Sequence, residues 1–312
     1  MEETFTNAKW SAYAKTYSSV FESLTARWAV DAVQIAHHEI LHLLQQYEAT
    51  SCTTPFHFVD VGCGPGNLSF EFARRYLTLP TDIRITASDI SDGMLKQLME
   101  KLMADPALNS FAPKFCTLQS DGMFLSEVAD SSVDAIGSNF GLSIFPNRMQ
   151  GYATAFRVLK EEGLLVMTTW SDKSSQIVWF DTITDAFNAA GPPEDKLQFP
   201  STTAGSDRER VMNELHEAGF RDVRVYSTTH TIVFDDPKAM IQAMMTNPFA
   251  AKFLKRLSKD RIEQMLIELM ESDAQKNFYQ DERMARIDGA DGFVDKKPCL
   301  IPFTGYVIAA KK

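Results

Sequence analysis

The spacing of hydrophobic positions changes along the chain. Trp10, Tyr13, Ala14, Tyr17 and Phe21 recur at helical spacing, and the segment up to about residue 48 reads mainly as helix. At Phe56 the pattern shifts. Phe56 to Val61 is an apolar run rich in β-branched and aromatic residues, which reads as a buried strand. A helical pattern follows over 68–78. Further strands are predicted at 83–89, 113–119, 133–138 and 163–170, with a helix over 152–160. A helix over 211–218 leads to a strand from Val223, and the chain ends in an apolar strand over 301–310. Strands alternating with helices predict an α/β fold with a mostly parallel sheet between helical layers. Residues 237–298 stand apart, with amphipathic stretches at 239–245, 249–257 and 262–270. The expected organisation is a helical lid over 1–50, a core over 51–236 and 299–312, and a helical cap over 237–298.

Composition narrows the class. A chain of 312 residues with 45% hydrophobic composition suffices for one large α/β domain with an added cap. The net charge of -10 and the lack of a Lys/Arg run argue against nucleic acid or an anionic membrane as partner. No apolar run approaches 18 residues and no basic-then-apolar N-terminus occurs, so neither a membrane span nor a signal peptide is expected. Cys52, Cys63, Cys116 and Cys299 are widely spaced, without C-x-x-C, which fits reduced thiols in a cytoplasmic protein. A monomer or homodimer acting on a small molecule is expected.

The chemistry centres on Val59-Asp60-Val61-Gly62-Cys63-Gly64-Pro65-Gly66, between the first strand and its helix, with Asn67 as the expected helix cap. Strand, glycine turn and helix bring backbone N–H groups close to a ligand. A dinucleotide fingerprint has its third glycine where Asn67 stands, and Asp60 would repel a pyrophosphate. A positively charged ligand would instead be attracted. Asp89, at the end of the second strand, lies about 25 residues past Gly64, where a carboxylate accepts ribose hydroxyls; NAD and other nucleosides share that position.

Another motif competes for attention. His38-Glu39-Ile40-Leu41-His42 matches the H-E-x-x-H zinc pattern, which puts two imidazoles on one helix face. No downstream third ligand stands out, so a partly exposed helix face is expected and no metal.

The glycine segment closely resembles motif I of the class I S-adenosylmethionine (SAM) methyltransferases, whose cofactor carries a sulfonium and an ammonium. Trp10-x-x-Tyr13-Ala14-x-x-Tyr17, Ser91-Asp92-Gly93-Met94-Leu95, Ser138-x-x-Gly141-Leu142-x-x-Phe145, Arg157-Val158-Leu159-Lys160 and Leu215-x-x-Ala218-Gly219-Phe220 resemble its small-molecule branch, the ubiquinone/menaquinone-biosynthesis-like enzymes. The resemblance covers about 10–234 and the last strand. It departs at Glu161-Glu162, which replace Pro-Gly in an expected turn.

The resemblance implies a Rossmann-like, seven-stranded, mostly parallel sheet. It implies cofactor contacts from Tyr17, Asp60, Gly62, Cys63, Gly64, Asp89, Ile90, Met94, Asn139 and Phe140. Asp121 would face the adenine amino group, with Gly122 and Met123 flanking the ring; a simple helix cap by Asp121 is the alternative. Met94 has core packing as its alternative. Tyr13, Phe145 and Trp179 are implied on the acceptor side, where an apolar or aromatic metabolite suits the aromatics and methionines of the lid segments, among them Phe180, Met240, Met244, Met245 and Phe249. The same residues suit ordinary core.

The expected reaction is methyl transfer from SAM, leaving S-adenosylhomocysteine, carried mostly by proximity and exclusion of water. Oxygen is the expected acceptor ahead of nitrogen and carbon, because it is common among relatives. No motif fixes a general base; His230, at the end of the sixth main strand, is the first candidate, ahead of His37 and His38, and a structural role is the alternative reading of each. A non-methylating use of the cofactor and a non-catalytic SAM-binding regulator are the alternatives; intact Asp60, Asp89 and Asp121 argue against the last.

Overall fold

A computed structural model describes residues 5–49, 54–200, 205–234, 237–248, 250–278 and 299–312. Two compact units emerge. The first holds the chain up to Thr169 with Asp207–Thr228 and Tyr306–Lys312; the second holds Trp170–Ser206 and Thr229–Gly305. Thus the segment after Thr169, expected in the core, groups with the helical insertion, whereas the N-terminal helices group with the core.

The first unit opens with α1 (Asn7–Thr16), a π-helical turn at Tyr17–Phe21, α2 (Glu22–Ile35) and α3 (His37–Ala49). Next come β1 (Phe56–Val61), α4 (Asn67–Tyr76), β2 (Ile83–Asp89), α5 (Asp92–Ala104), β3 (Phe115–Gln119), β4 (Val133–Asn139), α6 (Arg148–Val158) and β5 (Leu159–Ser171). The chain continues through α7 (Ser175–Ala189), β6 (Gly205–Ser206), α8 (Arg208–Glu217), β7 (Arg221–Phe234), α9 (Pro237–Thr246), α10 (Lys259–Phe278) and β8 (Cys299–Lys311). The main sheet runs β3-β2-β1-β4-β5-β8-β7, with the short β6 paired to β5. β1 pairs in parallel with β2 and β4, β2 with β3, and β4 with β5. This is the α/β methyltransferase-type sheet expected, with its order reversing at β1 and β4. Ligands of open α/β sheets bind at such a reversal, beyond the carboxyl ends of the strands.

Strand limits differ from the periodicity in two instructive places. β3 starts at Phe115 because Asn109–Lys114, which contains Pro113, forms a 3-10 turn. β5 starts at Leu159, so Glu161 and Glu162 are strand residues and not a free turn. A register shift opposite Val133 and Ala135 absorbs them, Glu162 takes a φ of 63°, and its carboxylate pairs with Arg221.

β1 is buried along its whole length. Its Phe58 ring stacks on Phe72 of α4, with centroids 3.9 Å apart and planes within 6°. Tyr76, one turn further along α4, is fully buried and hydrogen-bonds His37 of α3 at 3.0 Å. In the second unit Trp179 of α7 is 1% exposed. Its indole N–H donates to Asp273 of α10 at 2.8 Å, and its ring meets Phe303 edge-on. Met240, Met244 and Met245 of α9 are buried as well. Phe249, Cys52 and all of residues 279–298 lie outside the described residues.

Truncation of Phe72 to Ala removes the ring that stacks α4 on β1. Chemical denaturation is expected to show a loss of about 3–5 kcal/mol, the usual range for a buried aromatic.

Candidate functional site

The carboxyl ends of β1, β2 and β4 carry the sequence-predicted residues. Gly62 follows β1 with a φ of 66°, Gly64 has 53°, and Gly66 has 102° before α4 begins. Asn67 does not cap α4, contrary to the sequence reading. Its side-chain amide turns to α2, donating to the Glu22 carbonyl at 3.0 Å and the Thr25 hydroxyl at 3.2 Å. Asp60 does part of that work from within β1: its Oδ2 accepts from Ser69 N–H at 3.0 Å and Ser69 Oγ at 2.7 Å. A carboxylate at the first turn of a helix also meets the positive end of its dipole. Asp60 is fully buried and its Oδ1 has no hydrogen-bond partner. Burial pushes its carboxyl up to about 7, against the lowering pull of Ser69 and with help from Asp89.

Asp89 clasps the glycine turn. Its Oδ2 accepts from Gly64 N–H at 2.9 Å and its Oδ1 from Ser91 N–H at 2.9 Å. The carboxylate keeps at least one lone pair for a further donor, and the residue is only partly buried. Burial raises this carboxyl too, opposed by the N–H groups of Ser91, Gly64 and Ile90. Cys63 N–H donates to the Ser88 carbonyl at 2.9 Å, and burial drives its thiol well above the usual range. That thiol is therefore a small packed side chain.

The β1 and β4 loops meet through glycine. A Cβ on Gly62 would stand 3.0 Å from Gly141 Cα, and one on Gly141 would stand 2.7 Å from the Val61 carbonyl oxygen. Ser138 Oγ stitches the same contact, donating to that carbonyl at 2.7 Å and accepting from Leu142 N–H at 2.9 Å. Between them Phe140 sits in the left-handed region, φ 60°, with its N–H donating to Thr168 Oγ1 at 2.9 Å. Thr168 in turn donates to Asn139 Oδ1 at 2.9 Å. The Phe140 ring meets Trp28 of α2 edge-on, 5.6 Å between centroids.

Phe145 lies beside both Gly62 and Gly122. A Cβ on Gly62 would be 3.7 Å from its ring, and one on Gly122 only 2.6 Å. Asp121 closes the turn before it, accepting from Met123 N–H at 2.9 Å; no α-helix follows, so the cap reading does not apply. Thr154 and Arg157 of α6 hold this turn through the carbonyls of Met123 and Phe124 at 2.6 and 2.8 Å.

The N-terminal segment docks beside these loops. Asn7 Oδ1 accepts from Asp92 N–H at 3.1 Å, and Ser11 Oγ from Gly93 N–H at 3.1 Å, on the first turn of α5. Tyr13 is buried among Trp10, Tyr17 and Phe21, at centroid distances of 6.1, 6.4 and 6.3 Å. Tyr17 bonds the Thr25 hydroxyl at 2.9 Å, and burial pushes its phenol up to about 12, so it stays neutral and able to donate. Met94 is buried on α5, and Ile90 is partly exposed beside Asp89. Asp60, Gly62, Cys63, Gly64, Asp89, Gly122 and Phe145 thus cluster around one strand end. Trp179 lies in the second unit's core and His230 on β7 in that same unit, partly exposed.

Glu39 and His42 are engaged locally, with Arg224 and with Gln46 at 3.0 Å respectively. Among the described residues no His, Cys, Asp or Glu group is arranged to hold a metal. None of the described helices is long and apolar enough to cross a membrane. The pattern did not single out Thr25 or Thr168. Their only signal was a hydroxyl residue on an otherwise apolar, buried face.

The nucleoside part of SAM fits these residues. A Cβ at Gly64 would enter open space, with nothing within 4 Å, so the glycine leaves a backbone-lined cradle beside the half-exposed Asp89 carboxylate. Two acids flank that cradle, as a cationic ligand requires.

A model of the ubiE/COQ5 methyltransferase family matches residues 10–191, more than half the chain. A demethylmenaquinone methyltransferase of Desulfitobacterium hafniense is 33% identical over 108 residues, covering 35% of this chain and 40% of that protein. A ubiquinone/menaquinone biosynthesis C-methyltransferase of Teredinibacter turnerae is 26% identical over 184 residues, covering 56% of this chain and 71% of that one. Among solved structures, the BH2331 protein of Bacillus halodurans has a TM-score of 0.51 at 14% identity, covering 86% of this chain and 98% of that one. The YcgJ protein of Bacillus subtilis has a TM-score of 0.51 at 13% identity, covering 87% of this chain and 98% of that one.

Two expectations test the geometry. Gly64→Ala should leave urea stability within about 2 kcal/mol, the usual limit for one left-handed Ala, yet weaken S-adenosylhomocysteine binding severely. Gly141→Ala, which drives a methyl into backbone, should reduce both. Equal binding by Gly64→Ala and wild type would show that the cradle is not where the cofactor lies. For Asp60, the folded carboxyl at about 7 lies above its unfolded value near 4. Its stabilising contribution is therefore complete below about pH 4 and is lost as pH rises through about 7. Denaturation between those limits should show wild type losing a few kcal/mol relative to Asp60→Asn. Parallel pH curves for the two proteins would contradict the assignment.

Proposed function

The chain belongs to the ubiE/COQ5 methyltransferase family, and from that premise we propose that it methylates a ring carbon of a hydroxylated, quinone-type aromatic. It is a SAM-dependent methyltransferase. The observation that carries the acceptor reading is the character of the named relatives, which are a demethylmenaquinone methyltransferase and a quinone-biosynthesis C-methyltransferase. Carbon therefore replaces oxygen, the acceptor expected from the sequence. The aromatic surroundings of the glycine turn support a flat, apolar acceptor: Phe145 lies over Gly62 and Gly122, and Phe5 meets it edge-on at 6.3 Å.

When bound, SAM supplies an electrophilic methyl on a sulfonium and leaves as S-adenosylhomocysteine. The chain's own residues then have four tasks. Asp89 would accept from the ribose hydroxyls, and Asp121 would accept from the adenine amino group. The glycine turn holds the amino-acid end through backbone groups. Phe140 and Phe145 exclude water from the acceptor and keep it flat. A base removes the proton of the acceptor hydroxyl, which makes the neighbouring ring carbon nucleophilic. That carbon would take the methyl, and the ring would recover its aromaticity by losing the proton the carbon carried. His230 is the candidate for that base that the sequence offers.

The test uses SAM labelled with carbon-13 in its methyl group. A reduced naphthoquinol lacking the ring methyl is offered beside a catechol. The expected product carries the label as a carbon-bound methyl on the quinol, seen by NMR. A labelled O-methyl group on either acceptor would overturn the carbon assignment, while S-adenosylhomocysteine formation on neither would leave only the cofactor assignment standing. His230→Ala should lower turnover about 100-fold with S-adenosylhomocysteine affinity unchanged; undiminished turnover removes His230 as the base.

A further inference from the structure

Three segments of the first unit converge on one threonine. Thr25 lies on α2, only 4% exposed. Its Oγ1 is 2.9 Å from the Tyr17 hydroxyl and accepts from Asn67 Nδ2 at 3.2 Å. Its own hydroxyl hydrogen has acceptors in the Phe21 and Glu22 carbonyls, each at 3.2 Å. Its backbone carbonyl accepts from Asn139 Nδ2 at 3.1 Å. Tyr17 belongs to the docked N-terminal segment, Asn67 to the first turn of α4 beside Gly66, and Asn139 to the end of β4. All three edges of the glycine-turn site thus meet at residue 25.

The arrangement is saturated. With its hydrogen committed to a backbone carbonyl, the Thr25 oxygen offers two lone pairs and receives two donors, the Tyr17 hydroxyl and the Asn67 amide. The Asn67 amide has a second bond, to Glu22 O at 3.0 Å, again on α2. Thr25 also sits four residues after the π-helical turn Tyr17–Phe21. Such turns occur often at functional sites because they redirect side chains that a regular helix would space evenly. Here the turn places the Tyr17 phenol back along the helix onto Thr25. The Asn67 position explains itself as well. A third glycine would close helix on strand; an asparagine reaches away from the sheet and takes hold of α2.

We propose that Thr25 is a positioning residue for the cofactor, fixing Tyr17 and the Asn67 end of the glycine turn in one geometry. It acts through those residues and not by touching the ligand. The inference rests on SAM binding at the glycine turn. Removing the hydroxyl leaves two partly buried donors short of a partner, a change aimed at the orientation of the turn.

The test is calorimetric titration of the full chain with S-adenosylhomocysteine, which needs no acceptor. Thr25→Val keeps the shape and removes the oxygen; Thr25→Ser keeps the oxygen. The Val variant is expected to bind about tenfold more weakly with stoichiometry near one, and the Ser variant within about twofold of wild type. Asn67→Ala should show a similar loss, and the Thr25→Val/Asn67→Ala double variant should be little worse than either single. Should Thr25→Val fail to fold, Asn67→Ala against wild type reads the same link. Wild-type affinity in Thr25→Val or in Asn67→Ala would overturn the proposal. So would a fall in stoichiometry at unchanged affinity, which marks a merely structural role, or failure of Ser to restore binding. Absence of binding by wild type would instead refute the cofactor reading, and this inference with it.

Discussion

Everything at this site depends on two polypeptide backbones touching where side chains would ordinarily keep them apart. Gly62 at the end of β1 and Gly141 beyond β4 approach so closely that a Cβ on either meets the other's chain at 3.0–3.1 Å. The contact brings the two strand ends together at the sheet's point of reversal. It leaves Ser138 to bridge them, and it sets the strained Phe140 next to Thr168. A left-handed non-glycine residue costs free energy and persists only where neighbours hold it. Here the Thr168 hydroxyl and the Trp28 ring do so.

Charge is the second constraint. Asp60 and Asp89 lie close enough to influence one another, and burial raises both carboxyls. Hydrogen bonds from backbone N–H groups and Ser69 recover part of that penalty. The two acids nevertheless divide the labour. Asp60 faces inward and ties β1 to the first turn of α4. Asp89 ties β2 to the glycine turn while keeping a lone pair for a ligand. A sheet built this way is poised for a cationic nucleoside and hostile to a pyrophosphate, and this is the distinction between the family this chain belongs to and the dinucleotide-binding enzymes with a similar strand–turn–helix start.

Much of this was legible in the chain itself. The buried run of β1, the glycines and Asp89 carry short-range signals, because each function needs a particular residue within a few positions of a strand end. β2 ends where the periodicity ends it. The strands from β5 onward were less readable: β5 begins at Leu159 because a bulge absorbs Glu161 and Glu162, and no local pattern announces a bulge. Asn67 was misread for a related reason. Position favoured a helix cap, but the choice between capping and reaching to α2 depends on a residue 42 positions away. Thr25 and Thr168 escaped because a lone hydroxyl on an apolar face does not say which distant groups it serves. Trp179 read equally as core or pocket, and only the packing against Phe303 and Asp273 shows its core environment.

The central claim is that the turn from Gly62 to Gly66, clasped by Asp89, is a SAM site. Titrating the protein with S-adenosylhomocysteine by calorimetry, with NAD as the control and Asp89→Ala as the variant, tests it most directly. The account predicts one site for S-adenosylhomocysteine, no heat with NAD, and a large loss of affinity in the variant. Binding of NAD, or binding of S-adenosylhomocysteine that ignores the loss of Asp89, would contradict it.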